Sequence, residues 1–242
     1  MNIRSSDKLS STPMKNQLTA IKFELDADFE QEAEALVGPP GQWRARRDLQ
    51  LSFLSQFGLA KKDRFLDLGC GSLRLGLPLI DYLNVCNYTG VDIDPDCISV
   101  SRRLISLFDL HHKSPRIFLS RTFGLEELEQ KPCFDIIWIF QVLIHLTNSH
   151  VEQAMRSISV FLADGGSAYG SAKIDDGLET ISRKGDWRQY AYVHAPLSYY
   201  KKVCSKMGLQ IQEIGAFNSD GWIDPTHPER LSMLKISKKL SD

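Results

Sequence analysis

A short apolar strand followed directly by a glycine-rich turn is the feature that most constrains this chain. Residues 65–68 read Phe-Leu-Asp-Leu, and Gly69-Cys70-Gly71 comes next. The two glycines open backbone conformations closed to other residues and let a ligand approach the main chain. Asp92 stands 21 residues after Gly71, at the end of a second strand, where a carboxylate can accept hydrogen bonds from both hydroxyls of a ribose. The two strands therefore indicate half of an adenosine-ribose site.

Strand-like and helix-like segments alternate along the rest of the chain. Strands are predicted at 65–68, 88–93, 116–119, 135–140 and 166–172, and helices at 96–110, 146–162 and 197–207. Repeated β-α-β units favour a parallel sheet with helices on both faces. The last two strands, 209–214 and 231–237, have no helix between them and are expected to pair antiparallel at an edge. We expect a doubly wound α/β fold, a three-layer αβα sandwich around a mainly parallel seven-stranded sheet with an antiparallel last strand pair.

Changes of composition divide the chain into regions. Residues 1–16 are rich in Ser, Lys and Asn and are expected to form a flexible arm. Residues 17–60 hold two helix-like stretches separated by Gly38-Pro39-Pro40-Gly41 and are expected to form a helical cap. Residues 61–242 are expected to form the sheet domain, with an inserted loop at 173–196 that is long for a connection that usually takes about 2–6 residues.

Charge and composition restrict the partners of the chain. The 242 residues carry 29 Lys and Arg against 30 Asp and Glu, a net charge of −1. This balance argues against a domain that mainly neutralises phosphates, and no nucleic-acid module is visible. Five cysteines without a C-x-x-C pair favour neither a disulfide framework nor a zinc site. We expect no nucleic-acid partner and no metal.

The apolar stretches are too short for a membrane span. The longest, 134–146, is interrupted by Asp135, Gln141 and His145, whereas a spanning helix takes about 20 apolar residues. Residues 1–11 hold no apolar signal segment. We expect a cytoplasmic protein with no membrane partner, a monomer or a homodimer.

Two nucleotide ligands compete for the ribose site. The dinucleotide fingerprint G-x-G-x-x-G/A needs a small residue at position 74, and the chain has Arg74 there, which fits poorly. The other ligand is S-adenosylmethionine. Because Arg74 fits the dinucleotide fingerprint poorly, a nucleotide-dependent oxidoreductase is the weaker alternative.

Four segments stand in the order and spacing of one family. They are the turn with Asp67 and Gly69-Cys70-Gly71, then Gly90-Val91-Asp92-Ile93-Asp94, then 134–146, then Leu162-Ala163-Asp164-Gly165-Gly166. The chain resembles class I S-adenosylmethionine-dependent methyltransferases over roughly residues 64–238. The resemblance implies an enzyme with S-adenosylmethionine as its cofactor.

The resemblance also implies which residues hold the cofactor. Asp67 and the Gly69-Cys70-Gly71 turn contact its methionine part, and Asp92 its ribose. The remaining contacts are Ile93 on the adenine, Ser120 and Arg121 at the adenine-reading position after the third strand, and Phe140 and Gln141 beside the methyl group. Apart from the resemblance, Arg44 or Arg47 of the N-terminal region is a candidate partner of the cofactor carboxylate, although an exposed helix face explains both arginines as well.

The methyl acceptor is expected to lie beside the end of the fourth strand. His145 follows that strand, and its pKa range suits a general base for a hydroxyl acceptor, although a packed histidine at a helix start explains it as well. The inserted loop carries the side chains that are candidates for stacking on an acceptor: Trp187, Tyr190, Tyr192 and His194.

A small-molecule methyl acceptor, with an oxygen nucleophile, is the function that these patterns favour. After Trp138 the chain reads Ile-Phe-Gln-Val, without the N/D-P-P-Y/F signature of many amino-directed DNA and protein methyltransferases. The alternative is a non-catalytic binding or scaffold protein that kept the fold. The intact glycine turn and Asp92 argue against a scaffold, which has no need of them.

Overall fold

The computed structural model describes residues 23, 25–38, 40–123, 125–128, 133–177, 193–218, 221–222 and 231–239. The α-helices in these ranges are α1 (Ala27–Ala35), α2 (Trp43–Gln56), α3 (Gly76–Tyr82), α4 (Pro95–Leu107), α5 (Asn148–Phe161) and α6 (Leu197–Lys206). Two 3₁₀ helices span Leu110–Lys113 and Leu143–His145. The strands are β1 (Phe65–Leu68), β2 (Tyr88–Asp92), β3 (Arg116–Leu119), β4 (Phe134–Ile139), β5 (Leu162–Ile174), β6 (His194–Ala195), β7 (Leu209–Asn218), β8 (Gly221–Trp222) and β9 (Leu231–Lys238).

The strands join in one mainly parallel sheet of order β3-β2-β1-β4-β5-β9-β7-β8, with β6 paired to β5. Strands β1 to β5 pair in parallel, and β9 runs antiparallel to both β5 and β7. The predicted fold class, with its antiparallel last strand pair, is confirmed. The short strands β6 and β8 were not predicted, because each is only two residues long and pairs with the end of a longer strand.

Helices cover both faces of the sheet. The alternation of side chains along a strand sends Trp138 of β4 into a core shared with α2, α3 and α4, and Ile137 into a second core shared with α5 and α6. Trp138 is fully buried, and its ring packs against Phe53 of α2 at a centroid distance of 5.3 Å. The chain therefore forms the predicted three layers.

The N-terminal helices pack on the sheet next to the glycine turn. The first of the two helix-like stretches expected within residues 17–60 forms α1, whereas Phe23 and Leu25 before it are not helical. The helix begins at Ala27 because the Asp26 side chain caps it by accepting from the Phe29 backbone amide at 2.9 Å. The Ser72 hydroxyl donates to the Ala33 carbonyl at 2.6 Å, which ties α1 to the turn.

Part of the proposed organisation falls outside the described residues. The arm at 1–16 lies there entirely, as do residues 178–192 of the inserted loop. Within the described ranges no helix is both long enough and apolar enough to cross a membrane.

Candidate active site

A cavity of about 420 Å³ opens where the carboxyl ends of β1, β2, β3 and β4 meet, the edge at which open α/β sheets bind ligands. Its volume lies in the range of about 300–1,000 Å³ that is usual for small-ligand sites. The Leu36–Gly38 segment and α2 contribute a further wall. The cavity thus lies between the sheet edge and the N-terminal helices.

Eleven residues selected from the sequence line this one cavity. They are Asp67, Gly69, Cys70, Gly71, Asp92, Ile93, Ser120, Arg121, Phe140, Gln141 and His145. The candidate acceptor residues Trp187, Tyr190 and Tyr192 lie outside the described residues. His194 is exposed on β6, paired with Lys173 of β5, and is not among the residues that line the cavity.

The turn after β1 leaves no room for side chains. Gly69 and Gly71 have φ of 81° and 54°, in the left-handed region that glycine tolerates. A Cβ at Gly71 would lie 2.4 Å from Cγ1 of Val37, and one at Gly69 would lie 2.3 Å from Cγ2 of Val142. The backbone of the turn therefore forms a close-fitting wall of the cavity, which only glycine permits.

The Asp92 carboxylate stands at the end of β2 and accepts hydrogen bonds from the backbone. Its Oδ2 accepts from the Gly71 amide at 2.8 Å and its Oδ1 from the Asp94 amide at 2.9 Å. Burial raises the pKa of Asp92, although these backbone hydrogen bonds act in the opposite direction. A carboxylate has about four acceptor positions, so Asp92 can still accept from a ligand hydroxyl.

Asp67 is a second buried carboxyl group in the site. It is 3% exposed and accepts from the Tyr88 hydroxyl at 2.8 Å. Burial raises the pKa of Asp67 to about 7, with the hydrogen bond from Tyr88 acting against the shift and the charge of Asp92 adding to it. A nearby cation would therefore stabilise the charged form of this carboxyl group, which burial disfavours.

The thiol of Cys70, between the two glycines, is held in its neutral form by its surroundings. Burial, together with the charges of Asp92 and Asp67, raises the pKa of the Cys70 thiol well above its usual value. The reactive form of cysteine is the thiolate, so the thiol is unreactive near neutral pH.

The chain bends sharply where β4 ends. Gln141 has φ of 57°, which is uncommon for a residue with a side chain. Its backbone amide donates a hydrogen bond to the Ser171 hydroxyl at 2.6 Å. The Phe140 ring stacks on Trp138 at a centroid distance of 5.5 Å. Backbone strain of this kind is typical of functional sites, where the surrounding structure holds it.

His145 lies one turn beyond Gln141, at the end of the second 3₁₀ helix, and is half-buried. It borders the same cavity as Gln141, and so does His150 from α5. The imidazole of His145 is thus placed beside the bend at the end of β4.

Two arginines of the cavity were not predicted as cofactor contacts. Arg74 was noted only as a misfit to the dinucleotide fingerprint, and Arg46 was not selected, yet both line the cavity. The arginines that were proposed for the carboxylate are engaged elsewhere: Arg44 pairs with Glu30, and Arg47 pairs with Asp48. No group of three or more His, Cys, Asp or Glu in the described ranges could hold a metal ion.

The central part of the chain matches a known family model. Residues 66–168 match the family model described as a methyltransferase domain. The chain carries a methyltransferase domain. The match begins in β1 and ends in β5, so it contains the glycine turn, Asp92 and the bend at Gln141.

Solved methyltransferases share the fold at low sequence identity. The CcbJ methyltransferase of Streptomyces caelestis has a TM-score of 0.61 at 16% identity, over 87% of this chain and 97% of that one. The magnesium protoporphyrin IX methyltransferase of Synechocystis, with bound S-adenosylmethionine, has a TM-score of 0.59 at 12% identity, over 96% and 92%. An S-adenosylmethionine-dependent methyltransferase of Clostridium acetobutylicum has a TM-score of 0.58 at 15% identity, over 81% and 91%. The family model and the shared fold confirm the predicted class I methyltransferase and S-adenosylmethionine as its cofactor.

The residues of the cavity fit this cofactor. The bare backbone at Gly69 and Gly71 admits close approach, and Asp92 retains acceptor capacity for a ribose hydroxyl. Among the described residues, two nitrogens of the buried Arg74 guanidinium have no hydrogen-bond partner. A nucleoside that carries a carboxylate matches all three features. The individual contacts remain predictions of the sequence.

Proposed function

We propose that this methyltransferase transfers the methyl group of S-adenosylmethionine to an oxygen atom of a small-molecule acceptor. The observation that supports the proposal is the meeting of the glycine turn, Asp92, the Gln141 bend and His145 in one cavity of about 420 Å³. A cavity of this size between the sheet and the N-terminal helices suits a small acceptor better than a polymer. The near-zero net charge of the chain favours the same class.

The proposed roles follow from where each group lies. Asp92 binds the ribose hydroxyls, and the turn at Gly69 and Gly71 passes along the cofactor. Asp67, with its raised pKa, is the proposed partner of the cofactor's cationic amino group. When it is bound, S-adenosylmethionine supplies a methyl group activated by its sulfonium. The protein then has to place the nucleophile in line and exclude water.

His145 is the proposed general base. An oxygen nucleophile attacks faster as its alkoxide or phenolate, so a base beside the acceptor assists transfer. Gln141, held in its bend by the bond to Ser171, is the proposed positioning group next to the reacting methyl. Phe140 and Trp138 provide an aromatic wall that contributes to excluding water.

The first test is calorimetric titration with S-adenosylmethionine and S-adenosylhomocysteine. We expect both to bind with one site per chain, and NAD or NADP not to bind. Trp138 lines the cavity, so its fluorescence reports either ligand. Quenching by a dinucleotide but not by S-adenosylhomocysteine would overturn the proposal in favour of an oxidoreductase.

The second test is transfer of a radiolabelled methyl group to a panel of phenols, alcohols, carboxylates and amines. We expect labelled product from an oxygen acceptor. Cofactor binding without transfer to any member of a broad panel would favour the non-catalytic alternative. With an acceptor in hand, full turnover in His145→Ala would remove His145 as an essential base, whereas a loss of about 100-fold or more is expected of a general base.

A further inference from the structure

The guanidinium group of Arg74 is buried, and two of its nitrogens have no hydrogen-bond partner among the described residues. Arg74 is 8% exposed and lines the cavity, and neither its Nε nor its Nη1 has a hydrogen-bond partner in the described part of the chain. A buried charge without hydrogen bonds is strongly unfavourable, so proteins retain one where a ligand completes it. Arg74 is therefore an incomplete binding group.

Glu34, the carboxylate whose charge acts on Arg74, does not complete it. Glu34 bonds instead to the backbone amides of Gly41 at 2.7 Å and of Gln42 at 2.6 Å. Burial opposes its ionisation, but these amides, with that of Trp43 and the charge of Arg74, lower the pKa of Glu34. Glu34 is thus an anion that fixes the loop between α1 and α2 rather than a partner of Arg74.

A second cation faces the same part of the cavity. Arg46 of α2 is half-buried and lines the cavity, and its charge acts on Arg74. Burial, assisted by Arg46, lowers the pKa of Arg74 to about 10, so the guanidinium is still charged near pH 7. Two interacting like charges that line one cavity favour an anion near both.

The position of Arg74 and Arg46 in the cavity indicates which end of the cofactor lies next to them. Asp92 at the end of β2 marks the ribose, and β1 is the adjacent strand toward the centre of the sheet. Arg74 follows the β1 turn three residues after Gly71, and a Cβ at Gly38 would lie 3.8 Å from its Nη1. A ligand that extends from the ribose across the β1 turn therefore reaches the arginines with the end opposite its adenine.

We infer that Arg74 and Arg46 form a carboxylate-binding subsite that holds the amino-acid end of S-adenosylmethionine. The planar guanidinium of Arg74 presents parallel N–H groups that match a carboxylate in a bidentate pair. Arg46 adds a second, more exposed charge. The inference rests on the proposed function, because it takes the cofactor from there.

The experiment is a cycle of two ligands and two proteins, followed by calorimetric titration. The ligands are S-adenosylhomocysteine and its decarboxylated analogue, which differ only in the carboxylate. The proteins are the wild type and Arg74→Met, which keeps the length of the side chain and removes its charge. Arg47→Met is the matched control, since Arg47 lies on α2, pairs with Asp48 and does not line the cavity.

We expect Arg74→Met to weaken binding of S-adenosylhomocysteine by about 10- to 100-fold, the effect of losing hydrogen bonds to a charged group. Binding of the decarboxylated analogue should change by less than about threefold. Arg46→Met should act in the same direction but less, because Arg46 is more exposed. Arg47→Met should alter neither ligand.

The melting temperature of the ligand-free protein separates binding from a structural role. Removal of a buried, incompletely paired charge should leave it unchanged or raise it in Arg74→Met. Equal weakening of both ligands, unchanged affinity for S-adenosylhomocysteine, or a fall of several degrees in melting temperature would each overturn the inference. Failure of the wild type to bind either ligand would instead overturn the proposed function.

Discussion

The amide of Gly71 donates a 2.8 Å hydrogen bond to Oδ2 of Asp92, so the glycine turn after β1 is tied directly to the end of β2. The Gly71 carbonyl accepts in turn from the Ser101 hydroxyl of α4 at 3.0 Å. The turn and the carboxylate thus form one unit, fixed from both sides. A change in either should alter both ligand binding and stability.

Substitution of Asp92 should show both effects. Asp92→Ala removes the acceptor for the ribose hydroxyls and leaves the Gly71 and Asp94 amides without their partner. We expect binding of S-adenosylhomocysteine to weaken at least about 30-fold, and the free energy of unfolding to fall by about 1–3 kcal/mol. Calorimetry and urea unfolding measure the two.

Asp96→Ala is the control for Asp92→Ala. Asp96 is an exposed carboxylate in the first turn of α4, close in sequence but outside the cavity. Its loss should cost less than about 1 kcal/mol and should not change binding. If Asp92→Ala binds like Asp96→Ala, Asp92 does not contact the ribose.

The covering of the glycine turn by the N-terminal segment predicts a specific coupling. Gly71→Ala places a Cβ against Cγ1 of Val37 and forces a side chain into φ of 54°. We expect a loss of about 2–4 kcal/mol in the free energy of unfolding. In the Gly71→Ala background, Val37→Ala should recover about 1 kcal/mol, measured as a double-mutant cycle by urea unfolding.

Gly165→Ala provides the matched control for Gly71→Ala. Gly165 has φ of 78°, but a Cβ there would meet nothing within 4 Å. It should therefore show the backbone cost alone, about 1–2 kcal/mol. Strict additivity of Gly71→Ala and Val37→Ala would mean that the N-terminal segment does not rest on the turn.

The residues selected from the sequence at the ends of the strands line one cavity for a physical reason. Parallel strands end at one edge of a sheet, so residues that follow β1, β2, β3 and β4 come together whatever the helices do. Asp92 and Gln141 could therefore be placed in one site although 49 positions separate them in the chain. The periodicity of the helices predicted the layers in the same way.

The far wall of the cavity depends on contacts that no local pattern encodes. Arg74 is an incomplete binding group only because Glu34 is bound to the amides of Gly41 and Gln42. That arrangement joins separate segments through tertiary packing. Charge and spacing alone instead pointed to Arg44 and Arg47, which pair with acidic neighbours. The sequence signal that could have identified Arg74 is an arginine three residues after the glycine turn, at a position where a small residue is usual in the dinucleotide fingerprint.

A hydrogen bond between Trp138 and Gln50 joins the sheet to α2. The indole Nε1 donates to Oε1 of Gln50 at 3.0 Å in the buried core. Gln50→Leu leaves that donor without an acceptor and should lower the free energy of unfolding by about 1–3 kcal/mol. In a Trp138→Phe background the same change should cost about 1 kcal/mol less, as urea unfolding of the four proteins would show.

Gln56→Leu is the control, because Gln56 is an exposed position of α2. Its free energy of unfolding should stay within about 0.5 kcal/mol of the wild type. Equal costs of Gln50→Leu in both backgrounds would refute the bond.

The raised pKa of Asp67 predicts how stability depends on pH. Its pKa is about 7 in the folded protein against the ordinary value of 3.8, so the folded state binds the proton more tightly than the unfolded state. The resulting stabilisation is complete below pH 3.8 and is lost as the pH rises through about 7, by roughly 4 kcal/mol in total.

The variant Asp67→Asn tests this dependence. Its side chain is neutral at every pH and still accepts from Tyr88, so its stability relative to the wild type should rise across this range. Guanidinium unfolding of the ligand-free proteins at pH 4 to 8 measures the difference, with Asp96→Asn as the control that should follow the wild type. Parallel curves for the wild type and Asp67→Asn would show that Asp67 ionises normally in the folded protein.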